Sequence, residues 1–185
     1  MRRACYLTRP RVKLLLLRLT RMSKSKRTSF RILAADHTGI TVSNLERSLA
    51  FWHDVLGFEL YHTAHQAAEM AKEITGVAGA EIKLAVVKPP GGHNIELLEY
   101  LAPAKRKHVD LRPCNVGHTH VALIVDDLKP ILTKIAASGW CAAGKPQTLK
   151  TGPNAGKRVV YVCDPDGTTI ELMEQPPTKR LIVVS

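Results

Sequence analysis

Two stretches of the sequence, HTGITVSNL at residues 37–45 and HVALIVDDL at residues 120–128, decide the fold because they repeat one pattern. Each begins with a histidine and continues as a short β-branched and aliphatic run, which is typical of a strand. Each then places an Asn or Asp before a leucine, which is typical of a helix start. An offset of 83 residues relates His37 to His120. This repetition predicts two similar modules, each of which buries its sheet with the help of the other.

The residues that follow each repeat predict one helix and further strands. Asn44 supplies a helix N-cap, and Gly57 is placed to end that helix in a left-handed conformation. In the second half Asp126 or Asp127 caps a helix that ends at Gly139. The strands are predicted at FELYHTA (58–64), EIKLAVVK (81–88), NIELLEY (94–100), RVVYVC (158–163) and TTIELME (168–174). We therefore expect an α+β fold in which two β-α-β-β-β modules form a curved mixed-sheet cup with helices outside.

The same pattern divides the chain into parts. We expect one domain over residues 34–176, built from module one (34–101), a linker (102–117) and module two (118–176), with a basic leader at 1–31 and a tail at 177–185. Two segments inside the domain have a weaker pattern. Residues 65–80 are expected to be helical or irregular, and KPQTLKTGPNAGK (145–157) is rich in Gly, Pro and Lys, which predicts a mobile loop.

The formal charge of +11 is concentrated at one end of the chain. Residues 1–31 hold 11 of the 27 Lys and Arg and no acidic residue, whereas the other 154 residues hold 16 basic and 16 acidic side chains. A formally neutral body argues against nucleic acid as a partner, because a binding face needs its basic residues on the fold itself. The leader suits either a mitochondrial transit peptide or a poorly ordered tail, with Met22 as a plausible shorter start.

Neither a membrane nor an oxidising compartment is indicated. The apolar run at residues 12–17 is too short to span a bilayer, and the leader lacks the cleavage site of a secretory signal. The four cysteines (5, 114, 141 and 163) lie far apart in the sequence and form no C-x-x-C pair, so we expect buried free thiols. We expect a cytoplasmic or mitochondrial protein that is not secreted.

Strand periodicity places two histidines and two glutamates on one inner surface. His37 points to the opposite side of its strand from Ile40 and Val42. The apolar neighbours of Glu96 and Glu171 are expected to pack under the helices, so both glutamates face the same side as the histidines. Taken singly, each histidine suits a core or edge position and each glutamate a solvated strand face. Their recurrence in both halves favours a site for a divalent metal with nitrogen and oxygen donors, such as Zn, Ni, Co, Mn or Fe(II).

These motifs resemble those of the vicinal-oxygen-chelate superfamily, which includes glyoxalase I, methylmalonyl-CoA epimerase, extradiol dioxygenases and the bleomycin- and fosfomycin-resistance proteins. The resemblance covers roughly residues 34–176 and is carried by HTGITVSNLERSLAFWHDVLGFEL, IELLEY, GHTHVALIVDDL and DPDGTTIELME. It implies that His37, Glu96, His120 and Glu171 hold one divalent metal ion, with the nearby His118 at the rim or in a structural role. It also implies a small-molecule substrate and a homodimer, in which the two modules close one cup within a chain or exchange between two chains.

The resemblance is specific for the superfamily and less so for one activity. Glyoxalase I usually follows its first glutamate with an Asn-Trp-Gly-like stretch and carries a basic residue in its first strand, whereas this chain has IELLEYLAP and Thr41. These departures leave glutathione binding open. Our leading hypothesis is a metal-dependent, glyoxalase-like isomerase, epimerase or lyase that stabilises an enolate-type intermediate of a small oxygenated substrate.

The resemblance assigns the proton shuttle to Glu171, with Glu96 as the second candidate. Lys157 or Arg158, in the loop at residues 150–158, could meet an anionic substrate, although a solvated hairpin loop explains both equally well. Two other functions stay open. An Fe(II) extradiol-type dioxygenase would use His37, His120 and Glu171. A non-enzymatic binding protein of the resistance type would use the same cup, although such proteins generally lack the full ligand set.

Overall fold

The computed structural model describes residues 30–109 and 112–175, so residues 1–29 of the predicted leader and the tail at 177–185 lie outside the described residues. Every element discussed below lies in the compact unit that begins at Ala35. Within the described ranges, no helix combines the length and the apolarity needed to cross a bilayer.

This unit contains two modules with the same strand order. In the first, strands β1 (His37–Val42), β2 (Glu59–Gln66), β3 (Glu81–Lys88) and β4 (Asn94–Ala102) are arranged β1-β4-β3-β2. In the second, β5 (His120–Val125), β6 (Gln147–Thr148), β7 (Arg158–Cys163) and β8 (Thr169–Glu174) are arranged β5-β8-β7-β6. The first strand pairs in parallel with the last strand of its module, and the other pairs are antiparallel. This confirms the predicted α+β fold of two β-α-β-β-β modules, as two four-stranded sheets that do not close into a barrel.

The start of the helix in each module is capped by the same two kinds of hydrogen bond. Helix α1 (Leu45–Leu49) continues as a π-helix over Ala50–Val55, and the Asn44 side chain accepts a hydrogen bond from its first turn. Asp127 does the same for helix α3 (Leu128–Ala137). In addition, a glutamate from the last strand of each module accepts a hydrogen bond from the first helical N–H, Glu99 from Leu45 at 3.0 Å and Glu174 from Leu128 at 2.8 Å. These carboxylates satisfy helix N–H groups that have no partner inside the helix, and so fix each helix to its sheet.

The main core lies between the helices and one face of each sheet, which we call the helix face. It is a single cluster drawn from both modules, and Phe51 of module one packs edge-on against Trp140 of module two. The fully or nearly fully buried members of this cluster are Ile40, Val42, Phe51, Trp52, Val55, Phe58, Val87, Ile95, Leu97, Leu128, Ile135, Val160, Val162, Ile170 and Leu172. The two modules therefore stabilise each other through one continuous apolar interior.

A second, smaller core lies on the opposite face of the first sheet, the face that carries Glu96. The segment predicted as helical or irregular forms helix α2 (Ala68–Thr75), which ends at Gly76 in a left-handed conformation. Its buried Ala71 packs with Ile82 and Leu84 of β3. Because Leu84 lies opposite Leu98 in the sheet, α2 covers the part of this face that extends beyond Glu96.

The segment at residues 145–157, predicted as a mobile loop, contains ordered backbone pairing. It includes the two-residue strand β6, and the N–H of Leu149 donates to the carbonyl of Lys157 at 2.9 Å. A strand of two residues is too short to produce an alternating pattern, which explains why the sequence did not show it. The loop thus supplies the fourth strand that makes the two sheets equivalent.

Candidate metal centre

The first half of the predicted site is a His–Glu pair at the start of β1 and in β4. Gly39 lies directly opposite Glu96 in this parallel pair of strands, and His37 projects from the same side of β1 as Gly39. The imidazole Nε2 of His37 lies 3.2 Å from Oε2 of Glu96. We call this pair half-site one, and we call the face of each sheet that bears its glutamate the site face.

A carboxylate behind His37 orients its ring. Oδ2 of Asp36 lies 2.8 Å from Nδ1 of His37, which directs the other ring nitrogen toward Glu96. The hydrogen bond to Asp36 raises the pKa of His37; partial burial opposes this shift, and the charges of Glu96 and Asp36 add to it. A carboxylate on the far nitrogen is the arrangement commonly found behind a metal-binding histidine. Asp36 was not predicted as a site residue, because its only signal in the sequence is its position next to His37.

The second half of the predicted site repeats this geometry. Ala122 lies opposite Glu171 in the parallel pair β5 and β8, and Nε2 of His120 lies 3.4 Å from Oε2 of Glu171. We call this pair half-site two. The Tyr161 ring packs 5.5 Å from the His120 ring, centroid to centroid, and Tyr161 lies opposite Glu171 in the sheet. Tyr161 was also missed, because its position beside the pair depends on the register of β7 with β8.

The two pairs have spacings that suit neighbouring ligands of one ion. Two donor atoms bound at usual zinc distances, at octahedral or tetrahedral angles, lie roughly 3.0–3.4 Å apart. The observed separations are 3.2 Å and 3.4 Å. Both glutamates are mostly buried, with about one fifth of the side chain exposed, while both imidazoles are 40% exposed. Each half-site therefore presents two suitable donors toward open space.

The structure does not bring the four predicted ligands into one cluster within the chain. Among residues 30–109 and 112–175, no three His, Cys, Asp or Glu side chains lie close enough together to hold a metal ion. The nitrogen and oxygen donors suit a divalent metal, but the structure brings them together only as two separate His–Glu pairs. The predicted structural role of His118 agrees with its hydrogen bond to the Thr169 hydroxyl, 2.9 Å away. Thr169 precedes Glu171 by two residues in β8.

The two basic residues predicted to meet substrate are placed differently. Arg158 projects from the same side of β7 as the buried Val160, on the helix face, and its guanidinium pairs with Glu174 at 3.1 Å. The structure thus separates Arg158 from half-site two. Lys157 is half-buried at the end of the preceding loop, where its backbone N–H donates to the carbonyl of Asn154.

Other basic side chains lie nearer to half-site two. A cavity of about 690 Å³ opens beside the free edge of β1 and is lined by His120, His118, Arg106 and Lys107. Arg106 also donates to the carbonyl of Val42 at the end of β1. Arg106 and Lys107 belong to the predicted linker (102–117), and nothing in their pattern predicts that this segment lines the same cavity as His120.

Comparisons with known proteins agree with this architecture. A family model described as the Glyoxalase/Bleomycin resistance protein/Dioxygenase superfamily matches residues 34–172. A 2-epi-5-epi-valiolone epimerase from Actinomyces sp is 32% identical over 148 residues, which cover 78% of this chain and 80% of the epimerase. A lactoylglutathione lyase from Haemophilus influenzae is 29% identical over 143 residues, covering 77% of this chain and 93% of the lyase.

Solved structures show the same fold. A glyoxalase family protein from Bacillus cereus superimposes with a TM-score of 0.68 at 24% identity, covering 79% of this chain and 96% of that protein. The trypanothione-dependent glyoxalase I of Leishmania major superimposes with a TM-score of 0.56 at 21% identity, covering 77% of this chain and 87% of that enzyme. At these identities the likeness establishes the fold alone.

Proposed function

The chain belongs to the glyoxalase/bleomycin resistance protein/dioxygenase superfamily, and on that premise we propose that it is a metal-dependent epimerase, isomerase or lyase of a small oxygenated substrate. The observation that carries this proposal is the pair of matching half-sites, with His37 3.2 Å from Glu96 and His120 3.4 Å from Glu171. Four such donors with open space around them suit one divalent ion that keeps positions free for substrate oxygens.

The ion is held between two copies of the chain. His37 and Glu96 come from one copy, and the partner contributes the equivalents of His120 and Glu171. Two features support this arrangement. The described residues of one chain assemble no cluster of three donors, and the strands β1 and β5 that carry the histidines are both sheet edges with exposed imidazoles. A two-fold dimer would complete two identical sites at once.

Glu171 is the proton carrier of this proposal. A divalent cation bound at the site supplies electrostatic stabilisation for the negative charge that develops on a substrate oxygen. The Glu171 carboxylate takes the proton from the carbon next to the substrate carbonyl and returns it, either to the other face of that carbon or to the neighbouring carbon. Tyr161, opposite Glu171 in the sheet, lies on the side of the strand from which a substrate would approach.

Epimerisation is the first reaction to test. The similar epimerase is 32% identical to this chain, and the similar lactoylglutathione lyase 29%. Helix α2 covers the site face beyond Glu96, which limits the room for a long substrate in half-site one. The basic side chains of Arg106 and Lys107 beside His120 suit an oxygen-rich or anionic substrate group.

The test is proton exchange in heavy water. Purified protein supplied with a divalent metal is incubated in D₂O with 2-epi-5-epi-valiolone or with lactoylglutathione, and deuterium uptake at carbon is followed by NMR. We expect uptake into one of the two and a loss of about 100-fold or more in Glu171→Gln. Glu73→Gln, on an exposed carboxylate of α2, should behave as wild type. Equal uptake in Glu171→Gln and wild type would remove Glu171 from the proton-transfer step.

The oxidative alternative uses only three of the four donors. A dioxygenase face of two histidines and one carboxylate would leave Glu96 outside the metal site. Glu96 is as close to its histidine as Glu171 is to its own, so the geometry treats the two carboxylates alike. Oxygen uptake with a catechol and Fe(II) would support the dioxygenase; its absence, together with deuterium exchange, would support the epimerase class.

A further inference from the structure

Two cysteines that are far apart in the sequence face each other across module two. Ala142 bridges Val162 of β7 in antiparallel fashion, and the N–H of Ala143 donates to the carbonyl of Tyr161 at 2.8 Å. In an antiparallel pair the residue before one partner lies opposite the residue after the other. Continued by one residue, this register brings Cys141 opposite Cys163, and the electrostatic effect of Cys141 on the pKa of the Cys163 thiol agrees with their nearness.

The backbone geometry of such a pair suits a disulfide. Directly opposed residues of antiparallel strands point to the same face, with Cα atoms about 4.5–5.5 Å apart. A disulfide requires a Cα separation of about 4.4–6.8 Å. Both thiols are free in the structure, and Ala142–Val162 is an isolated bridge, so Cys141 belongs to no regular strand.

The two thiols differ in their surroundings. Cys141 is exposed, whereas Cys163 is partly buried beside Asp164. Burial raises the pKa of the Cys163 thiol, and the negative charge of Asp164 and the nearness of Cys141 raise it further. A thiol with a raised pKa attacks an oxidant slowly, so the exposed Cys141 meets a dissolved oxidant first and Cys163 resolves the product.

We propose that Cys141 and Cys163 form a redox pair that closes into a cross-strand disulfide when the protein meets a peroxide. The Cys141 thiolate attacks one oxygen of hydrogen peroxide, the O–O bond breaks, and Cys141 becomes a sulfenic acid with release of hydroxide, which takes up a proton to become water. The Cys163 sulfur then attacks the sulfenic sulfur and displaces a second water as the S–S bond forms. The peroxide is reduced, both thiols are oxidised, and a dithiol reductant restores them.

The position of the pair relates it to half-site two. Cys163 lies opposite Thr169, and Thr169 lies opposite His120, so the thiols and the histidine occupy one transverse row of the second sheet. The Thr169 hydroxyl also bonds His118 at 2.9 Å. Closing the disulfide fixes the segment before β6 to β7 at the end of this row. Oxidation therefore acts in the same row of the second sheet as His120, two strands away, independently of which substrate the site takes.

The experiment is peptide mapping of the full chain after treatment with hydrogen peroxide. Free thiols are alkylated, the protein is digested with trypsin, and the peptides spanning residues 135–150 and 159–179 are sought as a linked species. We expect that species, about 2 Da lighter than the sum of its reduced parts, and we expect a dithiol reductant to abolish it. Cys114→Ser, which removes an exposed cysteine of the linker at residues 102–117, should leave the link intact.

Two results would overturn the redox pair. The first is full alkylation of both Cys141 and Cys163 after peroxide treatment of wild type. The second is a dominant link from either cysteine to Cys114, to Cys5 or to a second chain. In Cys141→Ser, Cys163 should stay alkylatable, and its oxidation at the wild-type rate would show that Cys141 is not the first thiol to react. None of these readouts depends on enzymatic activity, so they test the pair separately from the proposed function.

Discussion

Gly39 lies directly opposite Glu96, and the absence of a side chain at Gly39 leaves room for the Glu96 carboxylate beside the His37 ring. A Cβ at Gly39 would stand 3.4 Å from Cδ1 of Leu98 and 3.9 Å from Oε2 of Glu96. A single methyl group therefore fits at this position in ordinary contact. A branched side chain would extend into the space that the carboxylate occupies.

We predict that Gly39→Val lowers the affinity of the protein for a divalent metal by about tenfold or more, as disturbance of the residues that position ligands commonly does. Gly39→Ala should change the affinity little. The measurement is isothermal titration of the apoprotein with Zn²⁺. Ala122→Val is the matched variant in half-site two, where Ala122 lies opposite Glu171. A Gly39→Val protein that binds metal as tightly as Gly39→Ala would contradict this account of the glycine.

A second prediction compares two glutamates of the same strand. Glu96 belongs to the site face and Glu99 to the helix face, where it accepts the hydrogen bond from the Leu45 N–H. We expect Glu96→Gln to lose most of its bound metal in elemental analysis, and Glu99→Gln to retain it while unfolding at a lower temperature. Retention of metal by Glu96→Gln would place Glu96 outside the ligand set and favour the three-donor dioxygenase.

The proposed sharing of the site between two chains predicts complementation. One variant carries His37→Ala with Glu96→Gln, the other His120→Ala with Glu171→Gln, and each should be inactive alone. After mixing through a subunit-exchange step, random heterodimers contain one intact site and one that lacks all four donors, which gives about one quarter of the wild-type activity. No recovery in a mixture shown by mass spectrometry to contain heterodimers would indicate a site closed within each chain.

Asp164 predicts a pH dependence of stability. It is 3% exposed, and burial raises the pKa of its carboxyl, although two backbone N–H groups and the Trp52 indole lower it. Oδ1 of Asp164 accepts both backbone bonds, from Asp166 and Thr168, whereas Oδ2 and the Trp52 Nε1 are buried without a hydrogen bond. The folded state thus binds the Asp164 proton more tightly than the unfolded state does.

The sign follows from this difference in proton affinity. The favourable contribution of protonated Asp164 is present below its unfolded pKa, near 3.9, and is lost as the pH rises through the higher folded pKa. The Asp164→Asn variant has no such pH-dependent contribution to lose. Its free energy of unfolding should therefore increase relative to that of wild type as the pH rises from 4 to 8. Urea unfolding across that range measures the increase. Asp54→Asn, on an exposed carboxylate, is the control, and a constant difference between Asp164→Asn and wild type would refute the prediction.

Local patterns were sufficient to predict the elements that repeat. The bounds of β1, β3, β5 and β7 are as predicted, because each strand contains alternating apolar residues and strong turn signals lie at its ends. The same alternation predicted that His37 and Glu96 share a face, and the structure confirms it. Arg158 was predicted to meet substrate as part of the loop at residues 150–158, but it is the first residue of β7. The alternation of that strand places Arg158 on the helix face, where it pairs with Glu174.

Features that depend on register between distant segments could not be predicted in this way. The expected burial of the cysteines is wrong for Cys114 and Cys141, which are exposed, and the opposition of Cys141 to Cys163 depends on a bridge that sequence spacing does not show. The N-cap residue of helix α2 is Ala67, which has no side chain able to cap the helix, so no start signal marked it. The placement of one half-site relative to the other depends on how the modules pack, which local patterns do not encode.

The last strand of each module carries two glutamates three residues apart, IELLE at residues 95–99 and IELME at 170–174. An odd spacing sends them to opposite sides of a strand, so one reaches the histidine and the other secures the helix. Five consecutive residues therefore combine the proposed chemistry with its scaffold. A gene segment encoding one module would transmit both properties together, and a single duplication of it is sufficient to produce two compatible halves of the proposed metal centre.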